Sequence, residues 1–184
     1  MRVIAGTARS LPLKTVPGLQ TRPTTDRIKE TLFNMLNPYL PGSSFLDLFS
    51  GSGAIGIEAL SRGADHAVFV DCDRACCSVI RENLAFTHLS EHGEVLQRDA
   101  LSAVSLLEAR RKAFDIIFMD PPYASDGVVS VLKKLEGSCL VGPHTIIIFE
   151  EDVRFQLDFT ESLSFEVIKE KKYKTNKHVW LKKV

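Results

Sequence analysis

The sequence predicts an α/β fold in which a doubly wound, Rossmann-like sheet is covered by helices on both faces. Apolar segments of strand length alternate with amphipathic segments of helix length, a rhythm typical of right-handed crossovers in a mostly parallel sheet. A glycine-rich segment separates the first strand from the following helix, and an acidic residue ends each of four strands. We expect seven strands, with antiparallel pairing near the C-terminus.

The N-terminal segment predicts a short basic hairpin or extended arm over residues 1–22. Apolar and polar residues alternate near Ile4 and again near Leu13, and Gly6 and Pro12 lie between the two runs. A helix is predicted after Pro23, with four apolar residues on one face: Ile28, Leu32, Phe33 and Leu36. We interpret 1–184 as one domain, in which residues 23–184 form the core behind the arm.

The strand and helix predictions for the core follow from hydrophobic periodicity. The predicted strands are Ser44 to Phe49, His66 to Val70, Gly93 to Gln97, Phe114 to Met119, His144 to Phe149, Leu163 to Lys169 and His178 to Lys182. The predicted helices between them are Ala54 to Arg62, Arg74 to Phe86, Leu101 to Arg111 and Val128 to Glu136.

Composition is that of a globular domain, because 45% of the 184 residues are hydrophobic and 25% are charged. The absence of a long apolar run or signal sequence predicts a cytoplasmic protein without a membrane span. Cysteine and histidine spacings complete no metal-binding pattern, so no metal is expected. We also expect the protein to be a monomer. The net charge of zero conceals basic ends: residues 1–29 and 166–184 each carry +5 and the rest carries −10. Such ends are either solvated faces or a surface for a polyanion.

Acidic residues end four successive strands, at Asp47, Asp71, Asp99 and Asp120. The glycine loop with Gly51 and Gly53 stands between the first strand and its helix, where a dinucleotide cofactor would bring its pyrophosphate. Asp47 would repel a pyrophosphate, whereas S-adenosylmethionine carries a cationic sulfonium and ammonium that carboxylates attract.

The acids therefore predict an S-adenosylmethionine site. In it Gly51 and Gly53 permit close backbone approach, Asp71 accepts from the ribose hydroxyls, and Asp99, beside Ala100, accepts from the adenine amino group. Each acid taken singly is equally compatible with a turn or a helix cap.

The segment Asp120-Pro121-Pro122-Tyr123 follows the fourth strand, and we interpret it as the catalytic segment. Without its context it would be a rigid turn that ends a strand. At the carboxyl end of the strand beside the glycine loop, the Asp120 carboxylate and the Pro121 carbonyl can accept the two hydrogens of a nucleobase amine. Tyr123 offers a stacking face for that base.

The chain resembles the bacterial RsmD-type methyltransferases, which modify the exocyclic N2 of a guanine in small-subunit (16S) ribosomal RNA. The matching segments are Arg2 to Gly6, Arg22 to Arg27 with Glu30 to Asn34, Asp47 to Gly53 with Gly56, and Asp120 to Tyr123. The resemblance implies a class I S-adenosylmethionine-dependent methyltransferase fold, a cofactor site at Asp47, Gly51, Gly53, Asp71 and Asp99, and ribosomal RNA or the small-subunit particle as partner.

Three other interpretations stay open at this point. An adenine-N6 DNA or RNA methyltransferase would use the same Asp-Pro-Pro-Tyr chemistry. A nicotinamide-dependent oxidoreductase would use the glycine loop, and a non-catalytic RNA-binding module would use the basic ends. For RNA binding the candidates are five basic residues of the arm and its surroundings: Arg2, Arg9, Lys14, Arg22 and Arg27.

Overall fold

A computed structural model describes residues 1–16, 26–111, 113–122, 127–158 and 162–184. The helices are α1 (Asp26–Leu36), α2 (Ala54–Ser61), α3 (Arg74–Phe86), α4 (Ala100–Glu108) and α5 (Gly127–Glu136). The strands are β1 (Ser44–Leu48), β2 (His66–Asp71), β3 (Gly93–Gln97), β4 (Phe114–Met119), β5 (Val141–Asp152), β6 (Phe165–Lys172) and β7 (Asn176–Lys183). Short 3₁₀ turns follow α1 and α3.

The seven strands form one sheet in the order β3-β2-β1-β4-β5-β7-β6. Strands β1 to β5 pair in parallel, and β7 runs antiparallel to both β5 and β6. The predicted sheet is thereby confirmed, including its antiparallel C-terminal pairing. The chain reverses its direction of winding between β1 and β4, and this switch point opens a crevice at the carboxyl ends of the strands.

The longest strand differs from its prediction because Gly142 and Pro143, which are rare in strands, lie close to its amino end, and because it ends in acidic residues. Strand β5 extends three residues on each side of the predicted His144 to Phe149. Its last residues Glu150, Glu151 and Asp152 pair with β7, and such polar pairs carry no hydrophobic signal. Helix α4 also ends at Glu108, three residues before the predicted Arg111.

Successive side chains of each strand point to opposite faces of the sheet and divide the core in two. One face, here called the arm face, buries Phe45, Phe69, Phe118, Ile148 and Trp180 against the N-terminal segment and helices α1 to α3. The other, the far face, buries Leu46, Ile117, Ile147, Val179 and Leu181 against α4 and α5. Within the described residues no helix is long and apolar enough to cross a membrane.

The N-terminal segment forms the predicted hairpin-like arm, and Glu58 of α2 binds it. Arg2 bridges to Pro12, while Val3 and Leu13 enter the core of the arm face. The fully buried Glu58 carboxylate accepts from the backbone N–H groups of Ile4 and Ala5 at 2.8 and 3.0 Å. It also pairs with two cations: the buried Lys29 at 3.1 Å and Arg62 at 2.8 Å.

A second α2 residue closes the same contact. The Ser61 hydroxyl donates to Ala5 O at 2.6 Å and accepts from Ala8 N at 3.0 Å. At Gly6, whose φ is +87°, an added Cβ would lie 1.7 Å from Ser61 O, so only glycine permits this approach. The arm is therefore a part of the packed structure, attached directly to the helix that follows the glycine loop.

Candidate active site

The glycine loop joins β1 to α2 at the switch point of the sheet. Gly51 and Gly53 both have left-handed backbone conformations, with φ of +54° and +77°, which glycine adopts without steric cost. An added Cβ at Gly51 would meet nothing within 4 Å, whereas one at Gly53 would lie 3.1 Å from Ile80. Gly51 thus faces open space in the crevice, and Gly53 permits close packing of the loop on α3.

Asp71 at the end of β2 holds this loop in place. Its Oδ2 accepts from Gly51 N at 2.8 Å, and its Oδ1 accepts from Asp73 N at 2.9 Å. Each carboxylate oxygen has a further lone pair with which to accept a ligand hydroxyl. The structure therefore places Asp71 in contact with the loop, beside the open space at Gly51.

Asp47 lies beneath the loop and not on its surface. The residue is 1% exposed, and its Oδ2 accepts from Gly56 N at 3.1 Å in the first turns of α2. Burial raises the pKa of this carboxyl to about 8, the Gly56 hydrogen bond opposes the rise, and the charge of Asp71 adds to it. With this pKa the carboxyl is mostly protonated at neutral pH, and a cation bound in the crevice would favour its ionised form.

Asp99 caps helix α4. It is exposed, and its Oδ1 accepts from Ser102 N at 3.0 Å, as a helix N-cap does. Hydrogen bonds from Ser102 lower the pKa of Asp99, so it is an anion at neutral pH. Ala100 is buried directly after it as the first residue of α4.

Asp120 follows β4 and is half-buried, with Pro121 buried and Pro122 exposed after it. Burial raises the pKa of Asp120 well above its usual range, and the nearby charges of Glu150, Asp47 and Glu151 raise it further. Of the predicted catalytic segment, Tyr123 lies outside the described residues. The described part brings an acid with a raised pKa to the carboxyl edge of the sheet, one strand from the glycine loop.

A polar cluster beside Asp120, which the sequence analysis did not include, surrounds Glu150. His178 Nε2 lies 3.0 Å from Glu150 Oε2, and Asn176 donates its Nδ2 hydrogen to Glu150 Oε1. The Tyr173 hydroxyl lies 3.3 Å from the other His178 ring nitrogen. One sequence signal for Glu150 was present, because it directly follows the predicted fifth strand as Asp120 follows the fourth.

The predicted RNA-binding residues of the arm lie mostly on its exposed side, but two of them are ion-paired. Arg2 pairs with Asp26 at 2.9 Å, and Lys14 pairs with Glu82 of α3 at 2.6 Å. Arg9 and Arg27 are exposed. Arg22 lies outside the described residues.

Buried Asn83 of α3 connects the arm to the glycine loop. Its Oδ1 accepts from Lys14 N at 2.9 Å, and its Nδ2 donates to Lys14 O at 3.0 Å and to Ser52 O at 2.9 Å. No sequence pattern indicated this residue, because its partners are backbone groups far from it along the chain.

The residues at the crevice fit S-adenosylmethionine in their position and in their chemistry. Gly51 borders open space, and Asp47, Asp71 and Asp120 follow the same side-chain alternation as the apolar residues of the arm face on β1, β2 and β4. Three carboxyl groups at neighbouring strand ends suit a ligand that carries two positive charges. Among the described residues no group of three or more His, Cys, Asp or Glu is arranged to hold a metal ion.

Comparison with known proteins gives consistent matches over most of the chain. A family model described as Conserved hypothetical protein 95 matches residues 1–182. The chain is 37% identical over 155 residues to Ribosomal RNA small subunit methyltransferase D of Escherichia coli K12, covering 83% of this chain and 75% of that protein. The Haemophilus influenzae protein of the same name is 36% identical over 155 residues, covering 83% and 79%.

Solved structures share the fold. A hypothetical protein of Thermus thermophilus superposes with a TM-score of 0.85 at 29% identity, covering 100% of this chain and 99% of that one. A ribosomal protein L11 methylase of Lactobacillus delbrueckii superposes with a TM-score of 0.68 at 18% identity over 85% of this chain and 79% of that one. The Rossmann-like methyltransferase fold predicted from the sequence is thereby confirmed.

Proposed function

Because this chain belongs to the family described as Conserved hypothetical protein 95, we propose that it transfers a methyl group from S-adenosylmethionine to the exocyclic N2 amine of a guanine in small-subunit (16S) ribosomal RNA. The names of the E. coli and H. influenzae relatives support ribosomal RNA of the small subunit as the substrate. The RsmD-type resemblance of the sequence supports guanine N2 as the acceptor.

One observation carries the proposal: Asp120 and Pro121 stand at the carboxyl end of β4, adjacent to β1 and its glycine loop. When bound in the crevice, S-adenosylmethionine supplies an electrophilic methyl group on a sulfonium centre. The residues around it must hold an acceptor amine in line with that methyl group, since positioning contributes much of the rate in such transfers.

The exocyclic amine of guanine is a weak nucleophile because its lone pair is delocalised into the ring. The Asp120 carboxylate and the Pro121 carbonyl accept its two hydrogens and leave the lone pair directed away from both. The methylated amine is cationic and loses one proton, which Asp120 takes. Burial raises the pKa of Asp120, and this makes Asp120 a stronger proton acceptor than an exposed aspartate.

The surrounding acids favour the cationic donor. The charges of Glu150, Asp47 and Glu151 raise the pKa of Asp120. A sulfonium beside Asp120 opposes that effect by attraction, so donor binding and ionisation of Asp120 support each other. Asp71 and the loop backbone at Gly51 orient the ribose end of the donor.

The proposal predicts that Asp120→Ala lowers the rate of methyl transfer by ~10²- to 10⁴-fold, the usual contribution of a positioned acid or base. Unmethylated small-subunit ribosomal RNA, free or in its particle, is incubated with labelled S-adenosylmethionine, and modified nucleosides are mapped by mass. Asp115→Ala is the matched control, because Asp115 lies near the amino end of the same strand, away from the glycine loop, where it accepts from Ser44.

N2-methylguanosine formed by the wild type and the control, and lost in Asp120→Ala, is the expected result. N6-methyladenosine in its place would assign the chain to the adenine-specific alternative. Turnover of Asp120→Ala within tenfold of the wild type would remove Asp120 from the mechanism.

A further inference from the structure

The register of the sheet aligns four polar residues along its carboxyl edge. Lys171 of β6 pairs with His178 of β7, and His178 pairs with Glu150 of β5. Met119 pairs with Phe149, so Asp120 comes level with Glu150 in the next parallel strand. Residues paired across strands have their side chains on the same face, and Lys171 therefore lies on the arm face, in one row with Asp120.

Lys169 lies on the same face, one alternation earlier. It pairs with Trp180, and its ammonium group is 5.8 Å from the centre of the Trp180 ring. Trp180 belongs to the core of the arm face. The two lysines consequently form an exposed pair on the catalytic side of the edge strand β6.

Among the described residues no acid neutralises the charge of either lysine, in contrast to the charges of their neighbours. On the far face, Lys172 and Lys177 both pair with Glu170, at 2.9 and 3.0 Å. Within the described part of the chain, neither Lys169 nor Lys171 has a carboxylate within 4.0 Å. Two candidate cations of the arm are likewise paired with acids.

Acidic residues cluster at the reaction centre, at Asp47, Asp120 and Glu150, and such groups do not attract RNA phosphates. Phosphates that flank the target base need cations within a few nucleotides of it. Strand β6 is three strands from β4, which corresponds to about 14 Å at the usual spacing of 4.7–4.9 Å. An extended strand of a few nucleotides spans that distance.

We propose that Lys169 and Lys171 bind backbone phosphates of the RNA strand that flanks the target nucleotide and guide that strand across the edge of the sheet. This inference rests on the proposed function, since it assumes an RNA substrate. The ligand class is a phosphodiester backbone, bound without sequence readout.

The test is the double variant Lys169→Gln, Lys171→Gln with a matched control, Lys172→Gln, Lys183→Gln. The control removes the same charge from two exposed positions, one on β6 and one on β7, that lie on the far face. Affinity for unmethylated 16S ribosomal RNA is measured by filter binding at several salt concentrations, and steady-state methylation is measured alongside.

We expect the first variant to bind RNA roughly tenfold more weakly and to lose ~1.4 from the slope of log affinity against log salt, about 0.7 for each single-strand phosphate contact. The first variant should keep the wild-type KM for S-adenosylmethionine. The control variant should bind RNA with the affinity and salt dependence of the wild type. Equal weakening in both double variants, or no change in either, would overturn the inference. Failure of the wild type to methylate ribosomal RNA would instead overturn the proposed function.

Discussion

Asp71 has two roles, because the side chain that accepts a hydrogen bond from Gly51 N also borders the open crevice where a ligand would lie. If it accepts from the ribose hydroxyls, its removal leaves buried donors unpaired at a cost of ~1–3 kcal/mol. We therefore expect Asp71→Ala to weaken S-adenosylmethionine binding by tenfold or more in isothermal titration.

Asp73→Ala provides the control for local damage. Asp73 lies two residues further on, and caps α3 by accepting from Ala75 N at 2.6 Å. Loss of a cap destabilises the helix by about 1 kcal/mol without removing the acceptor for ribose. Equal loss of affinity in the two variants would mean that local damage, and not a lost ribose contact, explains the effect of Asp71→Ala.

Asp47 makes the stability of the protein depend on pH. Its pKa rises from 3.8 to about 8 on folding, so the folded state binds a proton more tightly than the unfolded state. Its contribution to stability is present in full below pH 4 and is lost as pH rises toward 8. The slope is at most about 1.4 kcal/mol per pH unit.

The variant Asp47→Asn should remove that dependence, because an amide oxygen still accepts from Gly56 N and carries no charge. Urea unfolding of ligand-free protein at pH 5.5 and at pH 8 measures it. The free energy of unfolding of the variant, relative to that of the wild type, should increase as pH rises. Parallel curves would show that Asp47 ionises in the folded protein as readily as an exposed aspartate.

At the scale of elements, the arm depends on helix α2 through Glu58. This buried carboxylate serves two backbone donors of the arm and two cations, Lys29 and Arg62. The variant Glu58→Gln keeps the shape but leaves buried donors and cations without a charge partner, and such losses cost ~3–5 kcal/mol.

We expect Glu58→Gln to lower the free energy of unfolding by that amount and to accelerate hydrogen exchange at the amides of Val3 and Ser10. Those two amides close the turn of the arm through bonds to Leu11 O and Val3 O. Glu82→Gln is the comparison, because it breaks the exposed pair with Lys14, and exposed pairs add little stability. Unchanged exchange in Glu58→Gln would separate the arm from this network.

At the scale of the whole molecule, hydrophobic periodicity was sufficient to predict the strands of the sheet and the residues at its switch point. Buried strands such as Phe114–Met119 are apolar throughout most of their length, and the acids that end them stand out by contrast. Periodicity does not specify strand order, however, and Asn176 and His178 reach Glu150 only because β7 inserts between β5 and β6. The role of Asn83 could not be predicted for a related reason, since its partners are main-chain atoms of distant segments.

The alternation in β7 has a consequence for how this sequence tolerates change. Val179 and Leu181 enter the far-face core, while His178, directly before Val179, meets Glu150. A slip of one residue would exchange the two faces, placing Lys177 or Val179 where the imidazole belongs and a polar ring in the hydrocarbon core. One strand register thus sets both the packing of the far face and the contact with Glu150, so selection for a well-packed β7 also preserves the partner of Glu150.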